Sequence, residues 1–395
     1  MHYGKIWTQS VLSFRSGAIT FDASHCSQCG ACISSCFQGA LSIGALQDGI
    51  FPILVDKNAC NLCRQCVKVC PIQELPNRSL TEEHWSECQQ MFLGWSVDPV
   101  RRFNSSSGGV ARTLIEQCLA NGYCDIAWCV GRSEKNGQPR GRLFRKGDDL
   151  SLICNSMYEP VLAMAGIPPI PRGTRMLAVG TNCQLQALDN LLGKRAHLIK
   201  VALLCKQQKT ATFAAYLRRL LGVEMKGPLE YRGNGWPGSA SSGAATVRYE
   251  TVAGLPFGKG LWRLPACKIC PHPLGYGADL TLADPWGITQ ESSAAGGMTL
   301  IVVRTEQGVS VLHGSSRGLE LATTTCKQVK RSVDWDAIRE KQKRIAFYLG
   351  IERSSIRKYR YMTGEYQRFL YERILETFEP PKWLVGVLNR VPYLG

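Results

Sequence analysis

The stretch that decides the N-terminal fold reads Cys26-Ser-Gln-Cys29-Gly-Ala-Cys32-Ile-Ser-Ser-Cys36, and a second reads Cys60-Asn-Leu-Cys63-Arg-Gln-Cys66-Val-Lys-Val-Cys70-Pro71. Both have the spacing C-x2-C-x2-C-x3-C. Three thiolates at this spacing on a tight loop hold three corners of one iron–sulfur cube, and the fourth Cys of each run belongs to the other cube. The spacing therefore predicts two 4Fe–4S clusters. Their ligands are Cys26, Cys29, Cys32 and Cys70 for one cluster, and Cys60, Cys63, Cys66 and Cys36 for the other.

Structural zinc is the alternative for these eight thiols. Zinc sites usually use two C-x2-C pairs separated by a spacer, and two uninterrupted triads do not fit that pattern. Residues 21–80 resemble bacterial two-cluster ferredoxins, except that Phe37 follows the first run where a Pro would match the second. A segment of this kind transfers electrons, so the remaining residues have to explain what the electrons do.

The composition of the chain indicates its cellular location and the state of its thiols. The chain has 395 residues, 18 Cys and a net charge of +16. It has no run of eighteen apolar residues and no apolar signal core at its start, so we predict a protein of the reducing cytoplasm. There the thiols are metal ligands or buried side chains rather than disulfides. The positive charge is compatible with an acidic partner, but no nucleic-acid-binding motif accompanies it.

Residues outside the Cys runs divide into four parts. Residues 1–20 read as a lead-in, 81–100 as a linker, 101–330 as an α/β domain, and 331–395 as a basic helical tail with an apolar C-terminus. The strands predicted in the large domain are Ile126–Val130, Met176–Val179, Ile199–Leu204 and Leu300–Val303, and the helices are Val110–Ala120, Leu185–Leu192 and Thr210–Leu221. Strand–helix alternation predicts a sheet that is at least partly parallel. Ser106 or Ser107 is the expected cap of the first helix.

Four more Cys stand at the ends of predicted strands or in a pair. Cys183 and Cys205 each follow an apolar strand, and Cys267 and Cys270 form a C-x2-C. Carboxyl ends of parallel strands share one edge of a sheet, so these thiols are expected to meet there. The spacing leaves open a third 4Fe–4S cluster, a zinc site or ordinary buried thiols.

Small residues open the helix at Val110. In Asn104-Ser-Ser-Ser-Gly-Gly-Val110, Ser and Gly would allow a phosphate to reach backbone N–H groups and the positive end of the helix dipole. A simple capping turn is the other interpretation. A second Gly-containing turn, Ala294-Ala-Gly-Gly-Met-Thr299, precedes the last predicted strand.

Several short motifs occur together in one order. They are Ser105-Ser-Ser-Gly-Gly-Val110, Gly180-Thr-Asn-Cys-Gln184, Leu204-Cys205, Tyr231-Arg-Gly-Asn-Gly-Trp-Pro-Gly238, Cys267-Lys-Ile-Cys270 and Ala278-Asp-Leu-Thr-Leu-Ala-Asp-Pro-Trp-Gly287. Over residues 100–310 the chain resembles the beta subunit family of coenzyme F420 (deazaflavin) reducing hydrogenases and dehydrogenases. A segment that commonly carries Lys-Tyr in this family is Ser156-Met157-Tyr158 here.

The resemblance implies a fold and a set of cofactors. The fold is an α+β ferredoxin-like N-terminal segment followed by an α/β flavin-binding domain and a helical C-terminal tail. Cys183, Cys205, Cys267 and Cys270 would hold a third 4Fe–4S cluster. The residues implied for FAD are Asn104, Ser105, Ser106, Ser107, Gly108, Gly109, Tyr158, Asp284, Trp286, Gly296, Gly297 and Thr299.

The implied activity is that of an iron–sulfur flavoprotein oxidoreductase. A flavin exchanges a hydride and passes electrons singly to a cluster. The expected partners are a ferredoxin or the deazaflavin coenzyme, with a small-molecule substrate and no nucleic acid. Membrane contact is expected only through the apolar C-terminal tail, and no catalytic residue or oligomeric state is predicted. A non-catalytic electron-relay subunit of a larger complex is the alternative function.

Overall fold

The computed structural model describes residues 12–15, 18–21, 25–73, 88, 90–225, 227–270, 274–275, 277–288, 296–350, 352–377 and 382–392, and every statement below refers to these. The strands are β1 Leu12–Arg15, β2 Ala18–Phe21, β3 Leu41–Ile43, β4 Ile53–Val55, β5 Gln90–Ser96, β6 Ile126–Arg132, β7 Pro139–Phe144, β8 Thr174–Thr181, β9 Ala196–Leu203, β10 Ser239–Ser242, β11 Ala245–Arg248, β12 Leu280–Ala283, β13 Thr299–Val303 and β14 Leu319–Thr323. The helices are α1 Ala31–Ser34, α2 Gln65–Lys68, α3 Pro99–Asn104, α4 Val110–Ala120, α5 Asn182–Leu192, α6 Ala211–Leu221, α7 Tyr249–Gly258, α8 Pro265–Ile269, α9 Glu306–Gly314, α10 Lys330–Val333, α11 Trp335–Tyr348, α12 Ser355–Thr377 and α13 Lys382–Arg390.

One mixed sheet of eight strands organises the large domain, in the order β14-β5-β13-β12-β9-β8-β6-β7. The pairs β6–β8, β8–β9 and β9–β12 are parallel, and the remaining pairs are antiparallel. Leu203 of β9 is in register with Thr181 of β8 and Leu282 of β12, so these strands end at the same edge. β5 ends there too, because β5 and β12 are both antiparallel to β13. We call this edge the carboxyl edge.

Both faces of the sheet are buried around its central parallel strands, as parallel strands require. Leu177 and Val179 of β8 belong to a first apolar core with side chains of α4 and α9. Met176 and Ala178 point to the opposite face and belong to a second core with side chains of α5. This alternation follows from the two-residue period of a strand.

The N-terminal Cys segment packs directly on this second core. Its β3 and β4 form an antiparallel hairpin, and α1 and α2 lie within the two Cys runs. Cys29, Ala31 and Val69 lie in the second core together with Ala163 and Met164 of the large domain. The Cys segment is therefore attached to the large domain by buried apolar contacts.

The C-terminal region is helical, as predicted. Side chains of α12 and α13 join a third core with α6 and α7, which includes Phe213, Trp262, Tyr371 and Leu388. Across the described ranges, no helix is long and apolar enough to cross a membrane.

Three expectations need correction. Residues 81–100, predicted as a linker, contain β5, which lies between β13 and β14 in the sheet and buries Met91. The lead-in contains the β1–β2 hairpin. The cap of α4 is Gly109, not Ser106 or Ser107, because a left-handed residue (φ 79°) enters the helix and the serine hydroxyls bond elsewhere. The mixed α/β architecture and the helical C-terminal region agree with the predicted fold class, whereas ferredoxin-like and flavin-binding remain predictions.

Candidate functional site

The first Cys loop, residues 26–36, is held by one glutamine. Gln28 has a positive φ of 57°, which turns the chain between Cys26 and Cys29. Its backbone N–H and its Nε2 both donate to Cys26 Sγ, at 3.4 Å and 3.3 Å. Its side-chain amide also donates to Phe51 O at 3.0 Å and accepts from Phe51 N at 2.7 Å. The loop is thus preorganised around a sulfur that receives two N–H donors.

The second Cys loop, residues 60–70, repeats this backbone in a different environment. Leu62 and Arg64 have φ values of 61° and 63°, matching Gln28 and Gly30 in the first loop. Cys63 N–H donates to Asn61 Oδ1 at 3.2 Å. Cys63 is exposed, whereas Cys26 and Cys29 are buried.

Thiols of the two Cys loops lie near one another across the loops. Burial, followed by the thiols of Cys29, Cys26, Cys70 and Cys66, raises the pKa of Cys32 well above its ordinary value. Burial raises the pKa of Cys66 to about 11, and Cys36 and Cys63 are the neighbouring thiols. Cys70 thus adjoins the first triad and Cys36 the second. Thiols this basic stay protonated near neutral pH unless a metal replaces the proton.

A pocket at the carboxyl edge collects the other four thiols. Cys183, Cys205, Cys267 and Cys270 all line it. Cys183 is the second residue of α5, near the positive helix end, and Thr181 Oγ1 lies 3.3 Å from its sulfur. Gln208 N–H donates to Cys267 Sγ at 3.2 Å. We call this cavity the four-Cys pocket.

The thiols of this pocket influence one another's pKa. Burial, followed by the nearby Cys267 thiol, raises the pKa of Cys205 to about 12. Burial and Cys270 raise the pKa of Cys183 well above its ordinary value. In the described part of the chain, no three His, Cys, Asp or Glu side chains form a group around one metal ion.

The first Cys loop forms part of the wall of the same pocket. Ser27, next to Cys26, and Ile72, two residues after Cys70, line it beside the four thiols. Cys26 and Ile72 also share a buried apolar cluster with Ala266 and Ile269, which flank Cys267. One predicted cluster site therefore adjoins another.

The residues implied for FAD meet at the carboxyl edge. Gly108 N–H donates to Thr299 Oγ1 at 2.9 Å, and Ser107 Oγ donates to Met298 O. Ser106 Oγ accepts from Ser156 N–H at 2.9 Å. A Cβ on Gly108 would lie 2.5 Å from Gly94 O, so this glycine is required by the packing of the loop on β5.

Glycines also bring the neighbouring turns together. A Cβ on Gly297 would lie 2.7 Å from the Trp236 ring, and one on Gly296 would lie 2.8 Å from Arg102 O. Asn104 lies close by and its carbonyl accepts from Asn155 Nδ2 at 2.9 Å. Ser105 Oγ donates to Arg101 O at 2.7 Å. Ala294 and Ala295 of the same predicted turn lie outside the described residues.

An aromatic platform with a buried cation adjoins this loop. Asp284 accepts from the Arg232 guanidinium at 2.5 Å, and Arg232 is 1% exposed. The guanidinium carbon lies 4.4 Å from the Tyr249 ring centroid and 5.1 Å from that of Trp236. Trp286 packs on Trp236 with ring centroids 4.9 Å apart and is 38% exposed. Arg232 thus fixes the Asp284–Gly287 turn to the Tyr231–Gly238 turn.

Tyr158 lies behind this platform. Its ring packs against those of Tyr231 and Phe257, with centroids 5.5 Å and 4.9 Å away. Its hydroxyl is 3.4 Å from that of Tyr249, which stacks on Trp286. Sequence reasoning did not single out Arg232, Trp236 or Tyr249 as site residues, although the motif Tyr231–Gly238 contains two of them.

Two features of this edge are of the kind that could contact a flavin nucleotide. One is the N-terminus of α4, eleven residues long, where backbone N–H groups could face a phosphate. The exposed part of Trp286 offers an aromatic surface to a planar ring. Both lie at the edge that also carries the four-Cys pocket.

Comparisons with known proteins agree with the order of these parts. A model of the 4Fe-4S dicluster domain matches residues 25–73. Models of the N-terminal and C-terminal parts of the coenzyme F420 hydrogenase/dehydrogenase beta subunit match residues 91–167 and 173–328. A chain of the F420-reducing NiFe hydrogenase complex from Methanosarcina barkeri is 15% identical, with a TM-score of 0.49, over 67% of this chain and 92% of that chain. No curated protein matches the chain.

Proposed function

Since the chain belongs to the coenzyme F420 hydrogenase/dehydrogenase beta subunit family and carries a 4Fe-4S dicluster domain, we propose that it is an iron–sulfur flavoprotein oxidoreductase. When bound, the clusters would carry single electrons, and FAD would exchange a hydride with a reduced deazaflavin or another organic substrate. A ferredoxin is the other partner we propose. The reducing cytoplasm remains our predicted location.

The observation that carries this proposal is the shared wall of the four-Cys pocket. Cys60, Cys63, Cys66 and Cys36 are proposed to hold an outer cluster, because their loop is the exposed one. Cys26, Cys29, Cys32 and Cys70 would hold a middle cluster. Cys183, Cys205, Cys267 and Cys270 would hold an inner cluster, separated from the middle site only by the wall that contains Ser27 and Ile72. Three sites in a row form a path from the surface to the carboxyl edge.

The residues at the carboxyl edge would hold the flavin next to the end of this path. The loop from Asn104 to Gly109 would contact the phosphates, and Gly296, Gly297 and Thr299 would hold that loop in place. Asp284 would act through Arg232 to orient Trp286 against the ring. Tyr158 would support the platform from behind through Tyr249.

A relay subunit is the second candidate, because one helix face is uncovered. Ile356, Tyr359, Met362 and Tyr366 of α12 are all more than 60% exposed, and their spacing places them along one face. An exposed stripe of this kind is typical of a subunit interface. If the flavin is absent and this stripe is covered by a partner, the chain only passes electrons onward.

Anaerobic analysis of iron, sulfide, zinc and flavin tests the proposal. We expect about twelve irons for three 4Fe–4S clusters and about one FAD per chain. The Cys183→Ala variant should contain about eight irons, whereas Cys154→Ala, a half-buried thiol outside the ligand set, should keep about twelve. Trp286→Ala should lose flavin and keep its iron.

Two other results would change the assignment. About eight irons with zinc and no flavin would reject the flavoenzyme and leave a two-cluster carrier on an α/β scaffold. About twelve irons without flavin would support the relay subunit instead.

A further inference from the structure

The inner site has a cation that comes from outside the family-matched residues. Lys341 lies on α11 and lines the four-Cys pocket, whereas the family models end at residue 328. Its Nζ donates to Lys206 O at 2.8 Å, which fixes the amine at the pocket wall. We propose that Lys341 sets the reduction potential of the inner cluster by supplying a positive charge next to its thiolates. This inference depends on the proposed third cluster.

The charges around the pocket distinguish Lys341 from its basic neighbours. Lys206 also lines the pocket, but its amine pairs with Asp334 at 3.1 Å. Lys268, between two of the thiols, pairs with Glu365 at 3.0 Å. Lys341 forms no ion pair with a described carboxylate, and no Asp or Glu is among the described residues that line the pocket. Its charge is therefore not neutralised locally.

Lys209 is a fourth lysine near the site, and its amine donates to groups outside the pocket lining. Lys209 is completely buried, and its amine donates to Pro256 O at 2.7 Å, to Leu261 O at 2.8 Å and to Gln207 Oε1 at 3.1 Å. These acceptors use all three of its donors. Among the lysines near the four thiols, Lys341 is thus the one best placed to act on the pocket.

Lys341 and the four thiols line the same pocket, and the hydrogen bond to Lys206 O holds the amine at its wall. A charge that stabilises thiolate also stabilises a cluster after it accepts an electron, because both states are more negative. The effect is weakly screened, since the pocket is partly closed to water.

The consequence is a direction for the electrons. The first Cys loop contains no Lys or Arg between Cys26 and Cys36. The charge of Lys341 therefore raises the potential of the inner cluster, which favours the movement of electrons from the exposed loop toward the carboxyl edge. Through Lys341, the C-terminal helical region contributes a residue to the proposed redox site.

Redox titration of the full chain, followed by electron paramagnetic resonance, tests this inference. Cys183→Ala first identifies the inner-cluster signal as the one that is lost. Lys341→Gln keeps a donor for Lys206 O but removes the charge, and it should shift only the inner cluster to a more negative potential. We expect at least a tenfold change in its one-electron equilibrium, about 59 mV.

Two variants separate charge from packing. Lys341→Arg keeps the charge and should titrate like the wild type. Lys343→Gln is the matched control on the same helix, because Lys343 is exposed and pairs with Glu340 at 2.6 Å, so it should shift nothing. An unchanged inner potential in Lys341→Gln, or an equal shift in Lys341→Arg, would overturn the inference while leaving the proposed function intact. A wild type without the third cluster would overturn both.

Discussion

The two Cys loops have one spacing and one backbone, yet they occupy opposite environments. Gln28 and Gly30 in the first loop, and Leu62 and Arg64 in the second, all adopt positive φ. The first loop is wedged against the large domain, where Met164 N–H donates to Cys29 O at 2.8 Å. In the second loop, Asn61, Leu62, Cys63 and Arg64 are all exposed. The spacing determines how each loop can hold a cluster. The surroundings of the loop determine whether that cluster receives electrons from a partner at the surface or passes them on inside the protein.

Removing one thiol from each loop should give the largest difference between the two loops. Cys29→Ala and Cys63→Ala should each lose about four irons. Cys63→Ala should retain the middle and inner clusters. Dithionite should still reduce them, whereas a reduced ferredoxin should reduce them only slowly. Cys29→Ala should interrupt the path and weaken the second core, in which Cys29 is buried. Iron analysis and stopped-flow reduction measure both effects, and equal behaviour of the two variants would contradict the proposed order of the clusters.

Alanine at the paired left-handed positions gives the next largest effect. A Cβ on Gly30 would lie 2.8 Å from both Ala165 N and Leu162 O. We therefore expect Gly30→Ala to cost about 2–4 kcal/mol, from overpacking and the positive φ together. Arg64 already has a Cβ in this conformation, so Arg64→Ala should cost about 1 kcal/mol or less. Anaerobic thermal melts, followed by the visible absorbance of the clusters, compare the two; similar losses would show that the first loop is not wedged.

The other paired positions, Gln28 and Leu62, should differ by less. Gln28→Ala leaves both backbone groups of Phe51 without their partner, which we expect to cost about 1–3 kcal/mol. Leu62 is 41% exposed, and Leu62→Ala should change stability by about 0.5 kcal/mol or less. The same melts measure both variants. The potential of the middle cluster should also fall in Gln28→Ala, since Cys26 loses a donor.

The sequence predicted the Cys residues of the site better than it predicted the elements that surround them. Cys spacing and the rule that parallel strands share an edge were enough to expect Cys183 near Cys205. They did not predict β5, because Met91–Trp95 is a short apolar run whose partners, β13 and β14, lie some two hundred residues later. They also did not predict Lys341 at the pocket. A lysine in a basic helix is expected to be a solvent-exposed residue, and only the packing of α11 shows that this one lines the pocket. Long-range packing is the information that local patterns lack.

The wedge at Gly30 also has a consequence for how the protein matures. Backbone atoms of Leu162 and Ala165 pack on Gly30, and Cys26 and Cys29 are buried, so we expect iron and sulfide to reach this loop before the large domain packs on it. The second loop remains open after folding and can be loaded last, or reloaded after damage. We expect iron in the folded chain to exchange at the outer site first, which isotope exchange would show. Iron would then be delivered to the first loop before folding is complete, and to the second loop in the folded protein.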